Sequence, residues 1–366
     1  MKKGVKKIDE IIDSFSQLSI ARGFDIKPRG GLISPYFEND FNLSSGHQYV
    51  QPIILSSEKV EPYKIAVDEP CFRRADISKI GYSLYHLLLF EMGVIGILGY
   101  TSQRAVWLRE VLQFSAEWLH SLGLEIGELF FTISSGVKIH GKSFKKDNDS
   151  YAALRSMGIS EKNIIWTKGR RNFIYSRGHN RPAGYGIEIY CPTKNGAFVE
   201  IASPIIYTDI YKDGFFEEAL NSAVGVGFGF ERISYVINSY DNIFQTDIYS
   251  RFIALVRQYF DKEVDFQLIQ SRLYTIGELL RALVFIISDG QLSGQGGRGK
   301  IMRNLIKSLF SEINYVGLPT EEIVIKGVRT FIETYSQRYP EMKSEEDLIK
   351  RTIFNLEKVE EGVTLD

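Results

Sequence analysis

The sequence predicts an α+β fold, in which a domain built on an antiparallel sheet flanked by helices, residues 1–245, precedes an all-helical domain, residues 246–366. In the first part, short apolar runs broken by Pro and Gly outnumber the helical segments between them, which favours antiparallel pairing. From about Arg232 onward, apolar residues recur at helical spacing instead. The predicted helices there are Ile233–Ile237, Tyr249–Phe260, Ile276–Ser288, Lys300–Phe310, Glu322–Tyr339 and Glu345–Glu361.

Two long amphipathic helices, a shorter helix that contains Tyr151, Leu154 and Met157, and a series of strands are predicted in the first domain. Apolar residues at helical spacing indicate one helix from Ile8 to Leu18, and another that begins after the candidate N-cap Ser102 and ends at Gly123. Aromatic and β-branched content predicts the strands. They are Tyr49–Leu55, Lys64–Val67 leading into Cys71, Glu128–Ser134, Asn163–Thr167, Gly186–Cys191, Phe198–Tyr207 and Gly225–Phe228.

Composition excludes several classes of protein. Two cysteines are too few for a disulfide framework, and the five histidines show no metal-ligand spacing, so no zinc is expected. A net charge of −1 requires any polyanion to meet a local basic patch. No window approaches ~20 uninterrupted apolar residues, and the basic start lacks the apolar run of a signal peptide. We therefore expect a cytoplasmic protein with neither membrane nor DNA as a partner.

The stretch CFRRADISKIGYSLYHLLLFEM, from Cys71 to Met92, is predicted to form strand, loop and strand. Arg73 at the end of the first strand can hold the α-phosphate of ATP and a substrate carboxylate. Phe90, followed by Glu91 in the second strand, offers a stacking face for adenine. The alternative is an ordinary hairpin with a surface Arg and a structural Glu, and spacing alone leaves both open.

The stretch GVGFGFER, from Gly225 to Arg232, is predicted to be a strand that leads into a helix near Phe230. Its glycines alternate, so they do not match the G-x-G-x-x-G of dinucleotide-binding folds. Alternate glycines leave one face of a strand without side chains, and a planar nucleotide can lie there. Arg232 at the helix start can then hold a polyphosphate from the side opposite Arg73. A tightly packed strand-to-helix junction is the alternative.

Glu188 and Glu200 lie on two adjacent predicted strands, each between apolar residues. Paired carboxylates of this kind suit Mg²⁺ that is also bound by triphosphate oxygens, although they can equally be solvated residues. The sequence has no G-x-S-x-G, no Walker A and no Cys/His nucleophile pattern. If the protein is an enzyme, it acts by positioning and charge stabilisation, without a covalent intermediate.

A Gly-rich loop, GQLSGQGGRGKIMRN from Gly290 to Asn304, leads into a helix with Lys300, Arg303 and Lys307 on one side. A Gly-rich loop that exposes its backbone next to basic side chains can reach into the shallow minor groove of an RNA stem. The alternative is a flexible connection between helices with a solvated basic face.

Together these segments resemble the alanyl-tRNA synthetase family, from the first helix to Asp366. PCFR, a loop and GYSLYHLLLFEM resemble its motif 2, and VGVGFGFERI resembles its motif 3, V-D-T-G-M-G-L-E-R. RPAGYGIEIY resembles its G-P-C-G-P-C-S-E-I-Y segment. RLYTIGELLRALVFIISDGQLSGQGGRGKIMRNLI is similar to a helical block that is specific to this family, whereas motifs 2 and 3 are shared by all class II synthetases.

The resemblance implies a class II synthetase that activates an amino acid, by default alanine, with ATP and Mg²⁺ and transfers it to a tRNA acceptor stem. It implies that Arg73 and Arg232 are catalytic. The other implied roles are ATP binding for Arg73, Phe90, Glu91, Gly227, Gly229 and Arg232; the amino-acid pocket for Ala202, Gly225 and Arg181; Mg²⁺ for Glu188 and Glu200; and RNA for Gln295, Arg298, Lys300, Arg303 and Lys307. The family continues beyond this part into an editing domain, so we expect no editing in cis.

Departures from the family pattern affect substrate recognition. Gly225 stands where the family has the Asp that holds the ammonium group of alanine, so either Glu200 or Asp209 replaces it or the substrate differs. Room left by the missing Asp side chain would admit a larger group. We therefore expect alanine to be a poor substrate and Gly225→Asp to restore it.

Further departures affect the remaining recognition elements. Tyr85 replaces the second motif 2 Arg, and His179-Asn180-Arg181 replaces D-T-G. Gln295 and Gly297 replace two family asparagines near the acceptor stem. A paralogue that loads another amino acid onto a carrier protein or a small molecule, and a non-catalytic RNA-binding relative, are the alternatives.

Overall fold

The structure is a computed structural model that describes residues 5–35, 40–175, 180–260, 263–292 and 294–360, with only the backbone given for 263–265 and 356–360. The chain forms two compact units. The first comprises Met1–Gly30, Ser45–Glu69 and Glu91–Ser239, and the second comprises Gly31–Ser44, Pro70–Phe90 and Tyr240–Asp366. The chain passes from the first unit to the second for the last time between Ser239 and Tyr240, whereas we predicted the boundary near residue 245. Two earlier segments, Gly31–Ser44 and Pro70–Phe90, also belong to the helical unit.

A ten-stranded, mainly antiparallel sheet dominates the first unit, as the sequence predicts. Its order is β1-β2-β3-β12-β11-β10-β4-β7, β9 pairs with β11 and β8, and β5 and β6 form a separate hairpin. The strands are β1 (Asp25–Ile26), β2 (Tyr63–Phe72), β3 (Leu89–Gly99), β4 (Phe130–Ser134), β5 (Val137–Ile139), β6 (Lys142–Phe144), β7 (Ile164–Thr167), β8 (Phe173–Tyr175), β9 (Arg181–Gly186), β10 (Glu188–Pro192), β11 (Phe198–Lys212) and β12 (Phe215–Gly229).

The helices of the first unit include one that we predicted as a strand. They are α1 (Ile8–Ala21), α2 (His47–Leu55), α3 (Arg104–Ser121), α4 (Asn148–Ser156) and α5 (Phe230–Ile237). The predictions of α1, α3 and the start of α5 at Phe230 are confirmed, except that the N-cap of α3 is Gln103 and not Ser102. The predicted strand Tyr49–Leu55 is wrong, since these residues lie in α2, where Gln51 and Ile54 are the buried residues. A short apolar run does not distinguish a strand from a helix by periodicity.

Aromatic residues attach helices to one face of the sheet. The rings of Phe228 in β12 and Trp118 in α3 lie 4.8 Å apart between centroids, and Phe15 of α1 is 6.0 Å from Phe228. Because side chains alternate along a strand, Val226 and Phe228 point to this side, which we call the helix face. Gly225 and Gly227 point to the other side, which we call the glycine face.

The second unit consists mainly of five helices, as predicted. They are α6 (Asp247–Arg257), α7 (Glu263–Ser288), α8 (Gly297–Tyr315), α9 (Thr320–Tyr335) and α10 (Glu346–Glu360). Stacked ring pairs join them, with Phe252 and Phe331 5.5 Å apart between centroids. The last residue of the predicted final helix, Glu361, lies outside the described residues.

The second unit also buries an ion pair on α7. Arg281 and Glu278 are both fully buried, and Arg281 Nη1 lies 3.4 Å from Glu278 Oε2. The Tyr249 hydroxyl donates to Glu278 Oε2 at 2.5 Å, and Arg281 Nε donates to the Tyr335 hydroxyl at 2.6 Å. Burial raises the pKa of Glu278, and Arg281 opposes this shift.

This ion pair also binds the backbone at the start of β3. Glu278 Oε1 accepts hydrogen bonds from Leu88 N at 2.6 Å and Leu89 N at 2.7 Å, and Arg281 Nη1 donates to Leu89 O at 2.7 Å. Three backbone groups that directly precede Phe90 thus depend on α7 for their partners.

In the part of the chain that the structure describes, no helix is long and apolar enough to cross a membrane.

Candidate active site

The register of β11 decides which of its side chains reach the glycine face. Ser203 pairs with Gly227 and therefore points to that face, whereas Ala202 pairs with Phe228 and points to the helix face. Ala202 is also buried. We predicted that Ala202 lines the amino-acid pocket together with Gly225. This prediction is wrong, because Ala202 points to the opposite face of the sheet from Gly225. Ser203 is the residue that shares that face.

A β-bulge brings Glu200 to the glycine face. Tyr190 of β10 pairs with Glu200, while the adjacent Ile189 pairs with Ala202, so Ile201 is an extra residue on β11. Without it, Glu200 and Ala202 would point to the same side, because they are two residues apart. The bulge instead places Glu200 opposite Ala202 and on the same face as Ser203.

Glu188 and Glu200 are both neighbours of Tyr190, which pairs with Glu200 across β10 and β11. Glu188 Oε2 accepts hydrogen bonds from Tyr190 OH and from Thr132 Oγ1, both at 2.9 Å. Burial raises the pKa of Tyr190, and the hydrogen bond to Glu188 and the negative charges of Glu188 and Glu200 raise it further. The two carboxylates that we predicted for Mg²⁺ are thus both adjacent to Tyr190.

Arg232 in the first turn of α5 completes this group of charges. Its Nη1 donates to Glu200 O at 3.0 Å and lies 3.5 Å from Glu200 Oε2, and about a quarter of its side chain, 24%, is exposed. The strand that precedes it ends in Gly227-Phe228-Gly229. A cation, two carboxylates and a strand face without side chains thus adjoin one another, as a site for a phosphorylated, metal-bound substrate requires.

The donor set fits a metal that arrives with its substrate. Among the described residues, no three His, Cys, Asp or Glu side chains are grouped so as to hold a metal ion by themselves. Mg²⁺ commonly binds through one or two carboxylates and the phosphates of the substrate, which is what Glu188 and Glu200 can provide.

The glycines of β12 differ in how much space surrounds them. A Cβ atom at Gly225 would lie 2.6 Å from Ile95 O, which is backbone, whereas at Gly229 its nearest neighbour would be 3.8 Å away. At Gly227 the contact at 2.6 Å is with the flexible end of Met92. The missing Asp side chain has therefore left no room at Gly225. Gly225→Asp would disturb the pairing of β3 with β12 and so does not test ammonium binding cleanly.

Glu91 does not share a face with the glycines. A Cβ atom at Gly93 would meet the rings of Phe230 and Phe15, so Gly93 points to the helix face, and Glu91, two residues away, does so too. Glu91 is 1% exposed, and its backbone N donates to both carboxylate oxygens of Glu231 at 3.0 Å. Our prediction of Glu91 in the ATP site is corrected accordingly.

Arg181 lies far from Gly225. It pairs with Tyr211, six residues along β11 from the partner of Gly225, Ile205, and this separation is about 20 Å at ~3.3 Å per residue. Its Nη1 donates to Gln51 Oε1 at 3.2 Å. The predicted place of Arg181 in the pocket of Gly225 is therefore wrong. His179 of the same segment lies outside the described residues.

Asp209 does not replace the missing Asp either. Its Oδ1 is 2.5 Å from Lys142 Nζ, and it pairs with Glu218 near the end of the β11–β12 hairpin. Of our two candidate carboxylates, only Glu200 lies on the glycine face.

In the second unit, Arg73 follows β2 directly and has a 59% exposed side chain. Its backbone N donates to Leu88 O at 2.7 Å, and its Nε lies 3.6 Å from Asp76 Oδ2. Burial alone would raise the pKa of Asp76, but a hydrogen bond from Lys79 and the nearby positive charges hold it below its ordinary value. Phe90 is partly buried. Arg73 thus remains accessible to an anion.

The residues predicted to bind RNA fall into two groups. Lys300 and Lys307 are exposed and seven residues apart, so they lie on one side of α8, and Gln295 is exposed in the preceding loop. Arg303 donates to Gly294 O, and Arg298 Nη1 donates to Asp40 O at 3.3 Å. The two arginines therefore hold loop backbone, while the two lysines face solvent.

Sequence reasoning missed Ser203, Tyr190 and Thr132. The alternation of apolar and polar residues in FVEIAS contains the relevant signal, because it breaks at Glu200-Ile201-Ala202. A break in alternation indicates a bulge but does not by itself say which face follows it.

A family model described as "tRNA synthetases class II (A)" matches residues 39–365. The chain is similar to an alanine–tRNA ligase of a Thermoanaerobacter species, with 23% identity over 381 residues that cover 98% of this chain and 41% of the relative. An alanine–tRNA ligase of Caldicellulosiruptor saccharolyticus is 25% identical over 376 residues, 95% of this chain and 40% of the relative. The chain thus spans about two fifths of the length of these curated relatives.

Among solved structures, apo histidyl-tRNA synthetase of S. aureus is similar with a TM-score of 0.43 and 13% identity, covering 71% of this chain and 79% of that one.

Proposed function

The chain belongs to the class II (A) tRNA synthetases, and from this premise we propose that it uses ATP and Mg²⁺ to activate an amino acid and then transfers it to an acceptor in the cytoplasm. The observation that supports the proposal most directly is the group on the glycine face. There, Arg232 is bound to Glu200, and Glu188 and Glu200 adjoin Tyr190 beside a strand face whose residues are glycines.

In the proposed reaction, a carboxylate oxygen of the amino acid attacks the α-phosphorus of ATP in line. The bond from the α-phosphorus to the bridging oxygen breaks, its electron pair leaves with pyrophosphate, and an aminoacyl-adenylate forms. Arg232 binds the phosphate charge, and Arg73 has the role that the resemblance gives it at the α-phosphate. Mg²⁺, when bound by Glu188 and Glu200, supplies further neutralisation of the triphosphate. Phe90, Gly227 and Gly229 are assigned to ATP.

We propose that the amino acid differs from alanine. Gly225 carries no charge for the ammonium group, and the backbone of β3 leaves no room for an acid there. Of the two candidates to replace the Asp, Glu200 lies on that face, and it is already bound to Arg232. The acceptor is a tRNA by family membership, with a carrier protein or a small molecule as the alternative.

ATP–pyrophosphate exchange with a panel of amino acids tests the proposal. We expect exchange that depends on one amino acid other than alanine, with alanine giving a lower kcat/KM. Preferential exchange with alanine would contradict the substrate assignment while supporting the enzyme class. No exchange with any α- or β-amino acid, from protein that is folded and binds RNA, would favour a non-catalytic relative.

If the acceptor is a tRNA, Lys300 and Lys307 are expected to contact its phosphates. Lys300→Glu with Lys307→Glu should weaken binding of an acceptor-stem RNA, and the slope of log K against log salt should fall by about 2, since each phosphate contact adds roughly 1. Filter binding at several salt concentrations measures both. Lys343→Glu, an exposed lysine in the same unit, is the control. Equal slopes in the double variant and the wild type would place the RNA elsewhere.

A further inference from the structure

The first unit contains a second candidate site, a cavity of about 470 Å³. It lies among the start of α3, the β5–β6 hairpin, the turn into α4, and β9, β11 and β12. A cavity of this volume is within the range that binds small organic molecules.

This cavity lies on the helix face and not on the face of the proposed adenylate site. Arg104 and Leu108 of α3 line it. Ile206 lines it too, and the register of β11 is regular from Ala202 to Ile206, so Ile206 shares the side of Ala202 and Phe228. The inference below therefore does not depend on the proposed function.

Asp147 gives the cavity a buried acceptor without a donor. Its Oδ1 accepts from Ser150 N at 3.1 Å and caps α4, while its Oδ2 is buried and has no hydrogen-bond partner in the described part of the chain. The residue is only 4% exposed. Burial raises the pKa of Asp147, and the neighbouring Ser150 only partly offsets this shift. A buried carboxylate oxygen without a donor destabilises a fold, unless a ligand supplies the donor.

Several acidic side chains lie near Asp147 and Tyr185. Burial raises the pKa of Tyr185 to about 12, and the charges of Asp147, Asp209 and Asp149 add to the shift. Lys142 neutralises Asp209, but Asp149 and Glu218 make no ion pair with any described residue. Asp147 itself is buried and makes no ion pair with any described residue, so a cation is the group that would neutralise it.

The lysine and arginine side chains that line the cavity do not donate a hydrogen bond to Asp147 Oδ2. Lys146 Nζ lies 3.6 Å from the ring centroid of Trp166, and Tyr185 OH donates to the backbone oxygen of Lys145 at 2.8 Å. Arg104 and the Lys145 side chain have no ion-pair partner among the described residues. These two side chains can meet an anionic group at the other end of a ligand.

We propose that the cavity binds a small organic molecule through a primary ammonium or guanidinium group, which donates to Asp147 Oδ2. A metal ion is disfavoured, because the described acidic residues form no group that could hold one. A free amino acid with a basic side chain and a polyamine share the required group. They differ in that only the amino acid carries a carboxylate for Arg104 and Lys145.

Titration calorimetry with L-lysine, L-arginine, putrescine and spermidine tests the proposal on wild type and Asp147→Asn. Asn also caps helices well, so this variant keeps the cap of α4 and removes the charge. We expect saturable binding of at least one probe and about ten- to a hundredfold weaker binding by Asp147→Asn. Tighter binding of lysine or arginine would identify the ligand as a basic amino acid, and tighter binding of putrescine or spermidine would identify it as a polyamine.

Glu217→Gln is the matched control, since Glu217 is exposed and points to the opposite side of β12 from Glu218. Its binding should equal that of the wild type. If no probe saturates at ~10 mM, an affinity too weak for a specific site, or if Asp147→Asn and the wild type bind equally, the proposal is wrong.

The pH dependence of thermal unfolding, measured without ligand, tests whether the Asp147 carboxylate lacks a hydrogen-bond donor. A carboxyl whose pKa is raised on folding favours the folded state below its ordinary pKa of 3.8 and loses this contribution as pH rises. Asp147→Asn should therefore unfold at a higher temperature than the wild type near neutral pH, with the difference vanishing towards pH 4. A lower unfolding temperature at neutral pH would show that the carboxylate is satisfied without a ligand, and would overturn the proposal.

Discussion

Arg232→Ala is expected to lower the rate of ATP–pyrophosphate exchange by about 10²–10³-fold, a loss typical for one group that stabilises charge in a transition state. The substitution removes a cation from the glycine face and one ion-pair partner of Glu200. Both changes make the site more negative where the triphosphate is proposed to lie. Most of the effect should therefore appear at the chemical step and in the KM for ATP.

Controls separate this effect from a loss of structure. Arg109→Ala removes an exposed arginine from α3 in the same unit and should leave exchange unchanged. Arg232→Lys keeps the charge but not the forked geometry, so it should retain only part of the activity. For Arg73→Ala we expect the same loss of exchange as for Arg232→Ala, about 10²–10³-fold.

Exchange near the wild-type rate in either alanine variant, with an unchanged unfolding temperature, would refute the assignment of that arginine.

Arg281→Leu is expected to lower the free energy of unfolding by about 3–5 kcal/mol, because it leaves the buried carboxylate of Glu278 without a cation. It also removes the hydrogen bonds from Arg281 to Leu89 O and to the Tyr335 hydroxyl. Arg251→Leu is a suitable control. The ion pair of Arg251 with Glu333 is 3.8 Å long and exposed, so its loss should change stability by only about 0–1 kcal/mol.

The pH dependence identifies the cause. Since burial already raises the pKa of Glu278, removing Arg281 should raise it further. A protonated Glu278 needs no cation, so the deficit of Arg281→Leu should be largest near neutral pH and shrink as pH falls towards the ordinary value of 4.5. Urea unfolding at several pH values measures this. A deficit independent of pH would mean that lost packing, and not the charge, causes the destabilisation.

The sequence was sufficient for the elements whose pattern is long and regular. The spacing of apolar residues predicted α3 and the helices of the second unit, and alternate glycines before Phe230 predicted the junction of β12 with α5. Residues 47–55 were too few to show a helical period, and so α2 was mistaken for a strand.

The candidate site was harder to predict, because it depends on strand register. Glu188, Glu200 and Arg232 were proposed from residue type and resemblance, and in the structure Arg232 contacts Glu200 while both carboxylates adjoin Tyr190. Ala202 and Glu91 were assigned to the wrong face, since a one-residue change of register reverses the direction of every side chain. Arg181 also lies far from Gly225, and this distance follows from the pairing of β9 with β11, which the sequence does not show.

The bulge at Ile201 also constrains how this chain can vary in length over evolution. Losing one residue between Glu200 and Ser203 would turn Glu200 towards the helices and remove it from Arg232, so insertions and deletions should be purged there. The turn at Asp213-Gly214, where φ is 49° and 91°, lies at the far end of the same hairpin. An insertion at that turn leaves the register near Gly227 intact, and length differences among relatives should therefore accumulate at the turn.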